Sequence, residues 1–330
     1  MANGDRQETA YMAVRVARLY YFQNMTTAAI AEEIGTSRAT VSRLLSFALD
    51  RGLVEIRVHD PQEVSGNLES AIAERYKLRS IQVVPVSAAA TEKETLQRVA
   101  GHAAAYVSSL VAPSTVIGLA WGTTVAEIAD KLLPKHVHDV DVVQLNGSGT
   151  GLNFVNTFGE SIVSRFAQNY GARAHHFPVP AFFDYADTRT ALWREKSIKS
   201  IRALQDSASI LLFSIGAEAT GSHVHTGGYL GDEERKIIRD EGLVGDIATV
   251  FFREDGTWRD VALNARSSGP DMDCFQRAAH SICVVSGKGK IPGLRAALQG
   301  GFINELVIDE PSARLLVEQI RAAEGKEHNP

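Results

Sequence analysis

The sequence predicts an α/β protein in two unequal parts: a small winged helix-turn-helix module at the N-terminus and a larger domain built on a mostly parallel sheet. Three observations carry that prediction. Two short helical patterns meet at one glycine in IAEEIGTSRATVSRLLSFALD, residues 30–50, and the alternating LVEIRV follows. From residue 68 onward, short apolar runs alternate with helical stretches, as they do when buried parallel strands are joined by crossover helices. Between the two lies HDPQEVSGN, residues 59–67, where a proline, a glycine and polar side chains interrupt both patterns. The chain has 330 residues, enough for two domains at roughly 100–200 residues each. The expected division is a module over 1–60, a linker over 61–67 and a large domain over 68–330.

Each element has a local reason. Ala10, Val14, Ala17 and Tyr21 fall at helical spacing, which predicts a first helix over Glu8 to Phe22. Thr26 or Thr27 can cap a second helix whose Ile30, Ala31 and Ile34 share a face, and Gly35 can end it in a left-handed conformation. Thr36 or Ser37 can cap a third helix with Val41, Leu44, Leu45 and Ala48 on its buried side, ending at Gly52. LVEIRV then alternates as a half-buried wing strand would. After a helix over Leu68 to Leu78, strands are expected in IQVVPV from Ile81, TVIGLA from Thr115, DVVQLN from Asp141, SILLFSIG from Ser209, ATVFF from Ala248, SICVVSG from Ser281 and ELVID from Glu305. Helices are expected over Thr91 to Leu110, Val125 to Leu133, Val155 to Tyr170, Thr188 to Leu204 and Ile291 to Gln299.

Composition narrows the class of protein. Hydrophobic residues make up 45% and charged residues 22%, a globular rather than a disordered profile. MANGDRQETA has neither the basic start nor the apolar run of a secretory signal, and no apolar run approaches the roughly 18 residues of a membrane span. The two cysteines, Cys274 and Cys283, show no redox or metal spacing. A cytoplasmic protein without a cofactor is the expectation. The net charge is -5, and residues 1–60 hold seven Lys/Arg against seven Asp/Glu. Any nucleic-acid affinity must therefore come from geometry, placed arginines and more than one copy of the module.

The third helix has the surface of a major-groove reader. With its apolar side buried, Ser37, Arg38, Ala39, Thr40, Ser42 and Arg43 remain on exposed or flanking positions. An arginine fork can pair with guanine edges or phosphates, hydroxyls reach phosphates, and Ala39 permits close approach. Arg57 on the wing is a further phosphate contact. A helical packing or dimerisation element is the plain alternative, but the order of Ala31, Gly35, hydroxyls, Arg38 and TVSRLL favours DNA.

In the larger domain, TVIGLAWGTTVAEIADKL runs from a strand through Gly122, Thr123 and Thr124 into a helix. Backbone N–H groups, a helix dipole and two hydroxyls suit a phosphate there, although an ordinary capped turn would look the same. Asn146, Gly147 and Ser148 follow another strand, at the carboxyl edge where α/β domains collect ligands. Asn156 and Thr157 stand at the next helix start, as pocket walls or as caps.

The chain as a whole resembles the SorC family of bacterial sugar-responsive transcription regulators. The resemblance covers about residues 8–320. It is carried by ARLYYFQNMTTAAIAEEIGTSRATVSRLLSFALDRGLVEIRVHDP together with IGLAWGTTVAEIA, VVQLNGS, VVSGKGK and LVIDEPSARLL. WGTT and VVQL resemble the deoxyribonucleoside-regulator branch most. The resemblance implies a Rossmann-like effector domain of sugar-phosphate-isomerase type, a phosphorylated sugar bound in it, operator DNA as partner, and a homo-oligomer, dimer or tetramer. It makes Lys290 a sugar or phosphate contact in preference to Lys288. Relatives of that branch have lysine where this chain has Asn146; asparagine cannot form an imine, so effector binding is expected to be noncovalent. Deoxyribose 5-phosphate or another pentose phosphate is the expected class, and a repressor of sugar or (deoxy)nucleoside catabolism genes the expected function.

Other features carry less. Gly216, Glu218 and Asp309 end expected strands and are either pocket residues or structural ones. His136 and His138, His175 and His176, and His223 and His225 lack companions with metal-ligand spacing, so no metal is expected; His223 and His225 could instead lie over the sugar pocket. Trp121, Trp193 and Trp258 read as packing residues. The rival reading is a sugar-phosphate isomerase or lyase with an attached DNA-binding-like domain. That chemistry needs a positioned acid/base pair or an imine-forming lysine, and no spacing in the chain identifies one.

Overall fold

The computed structural model describes residues 2–54, 61–149, 158–217, 224 and 228–327, and the chain divides into two compact units, Met1–Asp60 and Pro61–Pro330. The first unit holds three helices: α1 (Ala2–Tyr21), α2 (Thr27–Glu33) and α3 (Arg38–Asp50). Thr26 caps α2 by accepting from the Ala29 amide, and Ser37 caps α3 by accepting from the Thr40 amide. Gly35 and Gly52 both take positive φ, 68° and 66°, the left-handed conformation that lets the chain leave each helix. Val16, Ile30 and Val41 are fully buried and bind the three helices into one small core. The α1 helix begins before the expected Glu8. Of the expected wing LVEIRV, residues 53–58, only Leu53 and Val54 are described; the rest, Arg57 included, lies outside the described residues.

The second unit opens with α4 (Pro61–Tyr76). Residues 61–67, expected as a linker, are therefore the first turns of a helix. Pro61 is compatible with a helix start because its missing N–H would be unpaired there anyway, and Leu68 and Ile72 then pack into the core.

A seven-stranded sheet follows, in the order β1-β9-β8-β5-β2-β3-β4. Its strands are β1 (Ser80–Val84), β2 (Val116–Leu119), β3 (Asp141–Gln144), β4 (Arg173–His175), β5 (Ile210–Phe213), β8 (His280–Val285) and β9 (Glu305–Asp309). Every pairing in it is parallel. The helices α5 (Glu92–Leu110), α6 (Thr123–Lys131), α7 (Phe158–Tyr170), α8 (Ala186–Leu192), α9 (Lys196–Asp206), α10 (Asp232–Asp240), α11 (Asp273–Arg277), α12 (Ile291–Gln299) and α13 (Glu310–Glu327) complete the unit. Two large apolar clusters form its core.

Three departures from expectation matter. The single helix over Thr188 to Leu204 is two helices, α8 and α9, broken at Trp193, which packs on Phe177 and Phe183. ATVFF belongs not to the parallel sheet but to an antiparallel hairpin of β6 (Leu243–Ile247) and β7 (Val250–Arg253). The three-residue strand β4, which had no expectation, forms the sheet edge. Among the described residues no helix is long and apolar enough to cross a membrane.

Strand order fixes where a ligand can sit. After β2 the chain steps to β3 on one side, while β5 lies on its other side, so the order reverses between β2 and β5. The connections leave the carboxyl ends of these two strands in opposite directions and open a crevice there.

Candidate functional site

In the first unit, α3 buries Val41 and Ala48 and packs Leu44 and Leu45 inward. Ser37, Arg38, Ala39, Ser42 and Arg43 are exposed on its other side, and Thr40 is half-buried. The Ser37 and Thr40 hydroxyls lie 2.9 Å apart, and Arg43 donates to Thr40 Oγ1 at 3.3 Å. This weak tether holds one guanidinium near the helix start, and among the described residues no carboxylate pairs with it. A helix presenting two arginines and several hydroxyls beside its N-terminus can offer hydrogen bonds to base edges and phosphates.

In the second unit, a cavity opens at the β2/β5 reversal, lined by Gly122, Thr123, Thr124, Asn146, Ser214, Asp246 and Lys290 among others. Gly122 precedes α6 with φ 153°, a conformation side-chain-bearing residues rarely adopt, and no side chain caps that helix. The first amides of α6 have no intrahelical acceptor and meet the positive end of its dipole. Thr123 is exposed and Thr124 buried. Lys290 reaches in from the turn before α12 and donates to Thr124 Oγ1 at 3.0 Å and to Ser214 Oγ at 2.8 Å. Burial pushes its ammonium down to about 8. The turn that carries it is held by Asp309, which accepts from the Gly287 amide and caps α13 through Ser312. Asp309 thus has a structural role, and it also lines the wider groove beside the cavity. Lys288 is exposed; it lines a wider groove that shares Thr123, Thr124 and Lys290 with the cavity.

Across the cavity stand two acceptor atoms without partners among the described residues. Asp246 is 4% exposed, its Oδ1 unpaired and its Oδ2 accepting from the Thr249 amide at 3.1 Å. Burial raises this carboxyl to about 6, against the opposing pull of that hydrogen bond and of Lys290. Asn146 is 1% exposed, and its Oδ1 is likewise unpaired. Unpaired acceptors beside a half-buried ammonium and open amides make a site that can hold an anionic group at one end and hydroxyl donors at the other.

Gly122, Thr123, Thr124, Asn146 and Lys290 thus line one cavity, whereas Gly147 and Ser148 stand behind it. Gly147 donates its amide to Ser268 Oγ and receives the Trp121 indole N–H, both at 2.9 Å. A Cβ there would lie 2.3 Å from the Val179 carbonyl oxygen. Ser148 accepts from Gln144, and its carbonyl accepts from Tyr229, which stacks against Trp121 with ring centroids 5.2 Å apart. Asn156, Thr157, Glu218, His223 and His225 lie outside the described residues. Gly216 lines the cavity and is bridged to Asp246. Among the described residues no three metal-ligating side chains come together; His175 instead bonds Asp141 at 2.7 Å.

Ser214, Asp246 and Thr249 were absent from the sequence reading. The one available signal was Asp246, an acid inside the otherwise apolar run LVGDIATVFF.

Comparison with known proteins adds similarity at three levels. The family model described as "Putative sugar-binding domain" matches residues 60–318, and the model for region 4 of sigma-70 matches residues 15–51. The deoxyribonucleoside regulator of Bacillus subtilis is 34% identical over 316 residues, which is 95% of this chain and 99% of that protein. Among solved structures, the full-length sorbitol operon regulator SorC of Klebsiella pneumoniae is 27% identical with a TM-score of 0.71, covering 94% of this chain and 99% of that one. A domain of "a possible sugar-binding transcriptional regulator" from Arthrobacter aurescens is 43% identical with a TM-score of 0.72, covering 78% of this chain and 100% of that one.

Proposed function

The chain belongs to the SorC family of sugar-binding transcriptional regulators, and on that premise we propose that it represses sugar or (deoxy)nucleoside catabolism genes under control of a phosphorylated sugar. It does so in the cytoplasm as a homo-oligomer, dimer or tetramer, because two copies match a two-fold operator and four span paired sites. The names of the deoxyribonucleoside and sorbitol operon regulators support this class of target.

The observation that carries the effector half is the convergence of the open α6 N-terminus, Thr123, Thr124 and the half-buried Lys290 ammonium on one cavity. These groups favour a phosphate. The unpaired Oδ1 atoms of Asn146 and Asp246 favour sugar hydroxyls, which are the donors such acceptors lack. Deoxyribose 5-phosphate or another pentose phosphate fits that division. Binding is reversible and noncovalent, since the position implied to be an imine-forming lysine in that branch is Asn146 here.

The DNA half is supported by the exposed face of α3, where Ser37, Arg38, Ala39, Ser42 and Arg43 meet the groove, with Thr40 beside them and Arg57 as a further phosphate contact. Effector binding shifts the populations of DNA-competent and incompetent arrangements, with release as the default.

The test is fluorescence anisotropy of the protein on its own upstream DNA, with pentose and hexose phosphates titrated into the complex. The expected result is dissociation by one sugar phosphate that is not consumed. Turnover of that compound without specific DNA binding would replace this reading by a sugar-phosphate isomerase or lyase.

A further inference from the structure

A second cavity, of 190 Å³, shares no lining residue with the one at the sheet edge; its walls include Arg189, Trp193, Arg202, Trp258, Asn264 and Asp271. At roughly 30 Å³ per water it holds several waters, and hence one phosphate or carboxylate group. Its donors are in excess. The Arg189 guanidinium carbon lies 4.8 Å from the Trp193 ring centroid and that of Arg202 5.4 Å, so one indole bears two cations. Among the described residues Arg189 spends only its Nε, on the Ser267 carbonyl at 2.6 Å, and its outer nitrogens remain. The Trp193 indole N–H is buried and has no acceptor among the described residues.

Two acceptor side chains share the wall with these donors, and each is at least partly engaged. Asn264 Oδ1 receives the Phe251 amide and its Nδ2 donates to the Phe251 and Trp258 carbonyls. Asp271 is an exposed carboxylate on the cavity wall; its Oδ1 receives the Asp273 amide at 3.0 Å. Among the described residues neither guanidinium pairs with a carboxylate, and burial together with the like charge of Arg202 lowers the affinity of Arg189 for its proton. Two half-buried guanidiniums and an orphan N–H call for a ligand with two or more anionic oxygens, which an arginine fork binds bidentately.

We propose that this cavity is a second, small-anion site, in which Arg189, Arg202 and the Trp193 indole N–H hold a phosphate monoester or a carboxylate.

The full-length protein is titrated with inorganic phosphate, and separately with acetate, at ionic strength held constant with chloride. Tryptophan fluorescence and melting temperature are followed. The same titrations in Thr123→Ala/Lys290→Ala remove the contribution of the sheet-edge cavity. The expected result is a saturable response to phosphate in both proteins, weakened at least tenfold by Arg202→Gln and partly restored in Arg202→Lys. A matching acetate response assigns the site to carboxylates as well; phosphate alone assigns it to phosphate esters. Should Arg202→Gln fail to fold, Arg202→Lys carries the comparison, because an ammonium keeps the charge and loses the fork. A response confined to the protein with Thr123 and Lys290 intact, one indifferent to both Arg202 variants, or one that chloride reproduces would overturn the proposal.

Discussion

Asp246 and Lys290 share one cavity with their titrations drawn toward each other, the carboxyl up to about 6 and the ammonium down to about 8. Burial penalises the charged form of each. For Asp246 the folded protein binds the proton more tightly than the unfolded chain, so this residue's contribution to stability is full below about pH 4 and is lost as pH rises through 6. Asp246→Asn keeps the shape without the charge. Urea denaturation should show it more stable than the parent by on the order of 1–2 kcal/mol at pH 7.5, with the gain shrinking toward pH 4; a constant gain would mean that charge is not the cause. For Lys290 the sign is opposite: its contribution is full above about pH 10.5 and is lost as pH falls through 8. A bound phosphate reverses the preference by favouring the ammonium. Sugar-phosphate affinity should therefore fall by roughly tenfold between pH 7 and pH 9.5, and calorimetry on Lys290→Ala should find weaker binding with that dependence gone. Gly147→Ala should disrupt the pocket without touching the ligand, because its Cβ would lie 2.3 Å from one carbonyl oxygen and 2.5 Å from another; unchanged effector affinity would show that the loop can yield.

At the scale of elements, α3 depends on its cap and its buried side. Ser37→Ala removes the acceptor of the Thr40 amide and should destabilise the first unit by about 1 kcal/mol, read by thermal denaturation. Arg43→Ala removes an exposed guanidinium and leaves the helix core intact; operator affinity should drop about 5- to 150-fold while effector affinity stays constant. If effector affinity moves instead, the assignment of roles is wrong. The elements of α3 were legible because capping hydroxyl, apolar spacing and Gly35 are all local. The hairpin of β6 and β7 was not. Its turn residues Ala248 and Thr249 both have positive φ, 48° and 68°, where hairpins ordinarily use Asn or Gly. Such backbone costs about 1–3 kcal/mol per residue, and here one local and one remote partner hold it: Asp246 Oδ2 accepts from the Thr249 amide, and Ser267 Oγ lies 3.0 Å from Thr249 Oγ1. Those contacts aim Asp246 into the cavity, and nothing in IATV announces them.

At the scale of the whole molecule, regulation is a coupling free energy between effector and operator. If the effector is a sugar phosphate, as proposed, the factor by which it changes DNA affinity equals the factor by which operator DNA changes sugar-phosphate affinity. Measuring both affinities with and without the other ligand should give equal factors, typically about 5- to 150-fold. Unequal factors would mean that the two ligands do not act on one shared equilibrium. A chain beginning at Pro61 should keep the ligand-induced rise in melting temperature and lack specific DNA binding.

The sequence by itself determined the two-part plan, the helix-turn-helix, most strands of the parallel sheet and the residues of its β2 turn. Each of these rests on periodicity, capping or glycine chemistry within a few residues of chain. Only the tertiary structure decided that residues 61–67 are helix, that Thr188 to Leu204 breaks at Trp193, and that Gly147 and Ser148 support the cavity from behind. It alone also brought Lys290 onto Thr124 across 166 positions, and set Ser214 and Asp246 around them. The physical reason is the strand order. A parallel sheet whose strand order reverses between β2 and β5 gathers the carboxyl ends of strands far apart in sequence around one crevice, and a chemistry made of such ends has no local signature.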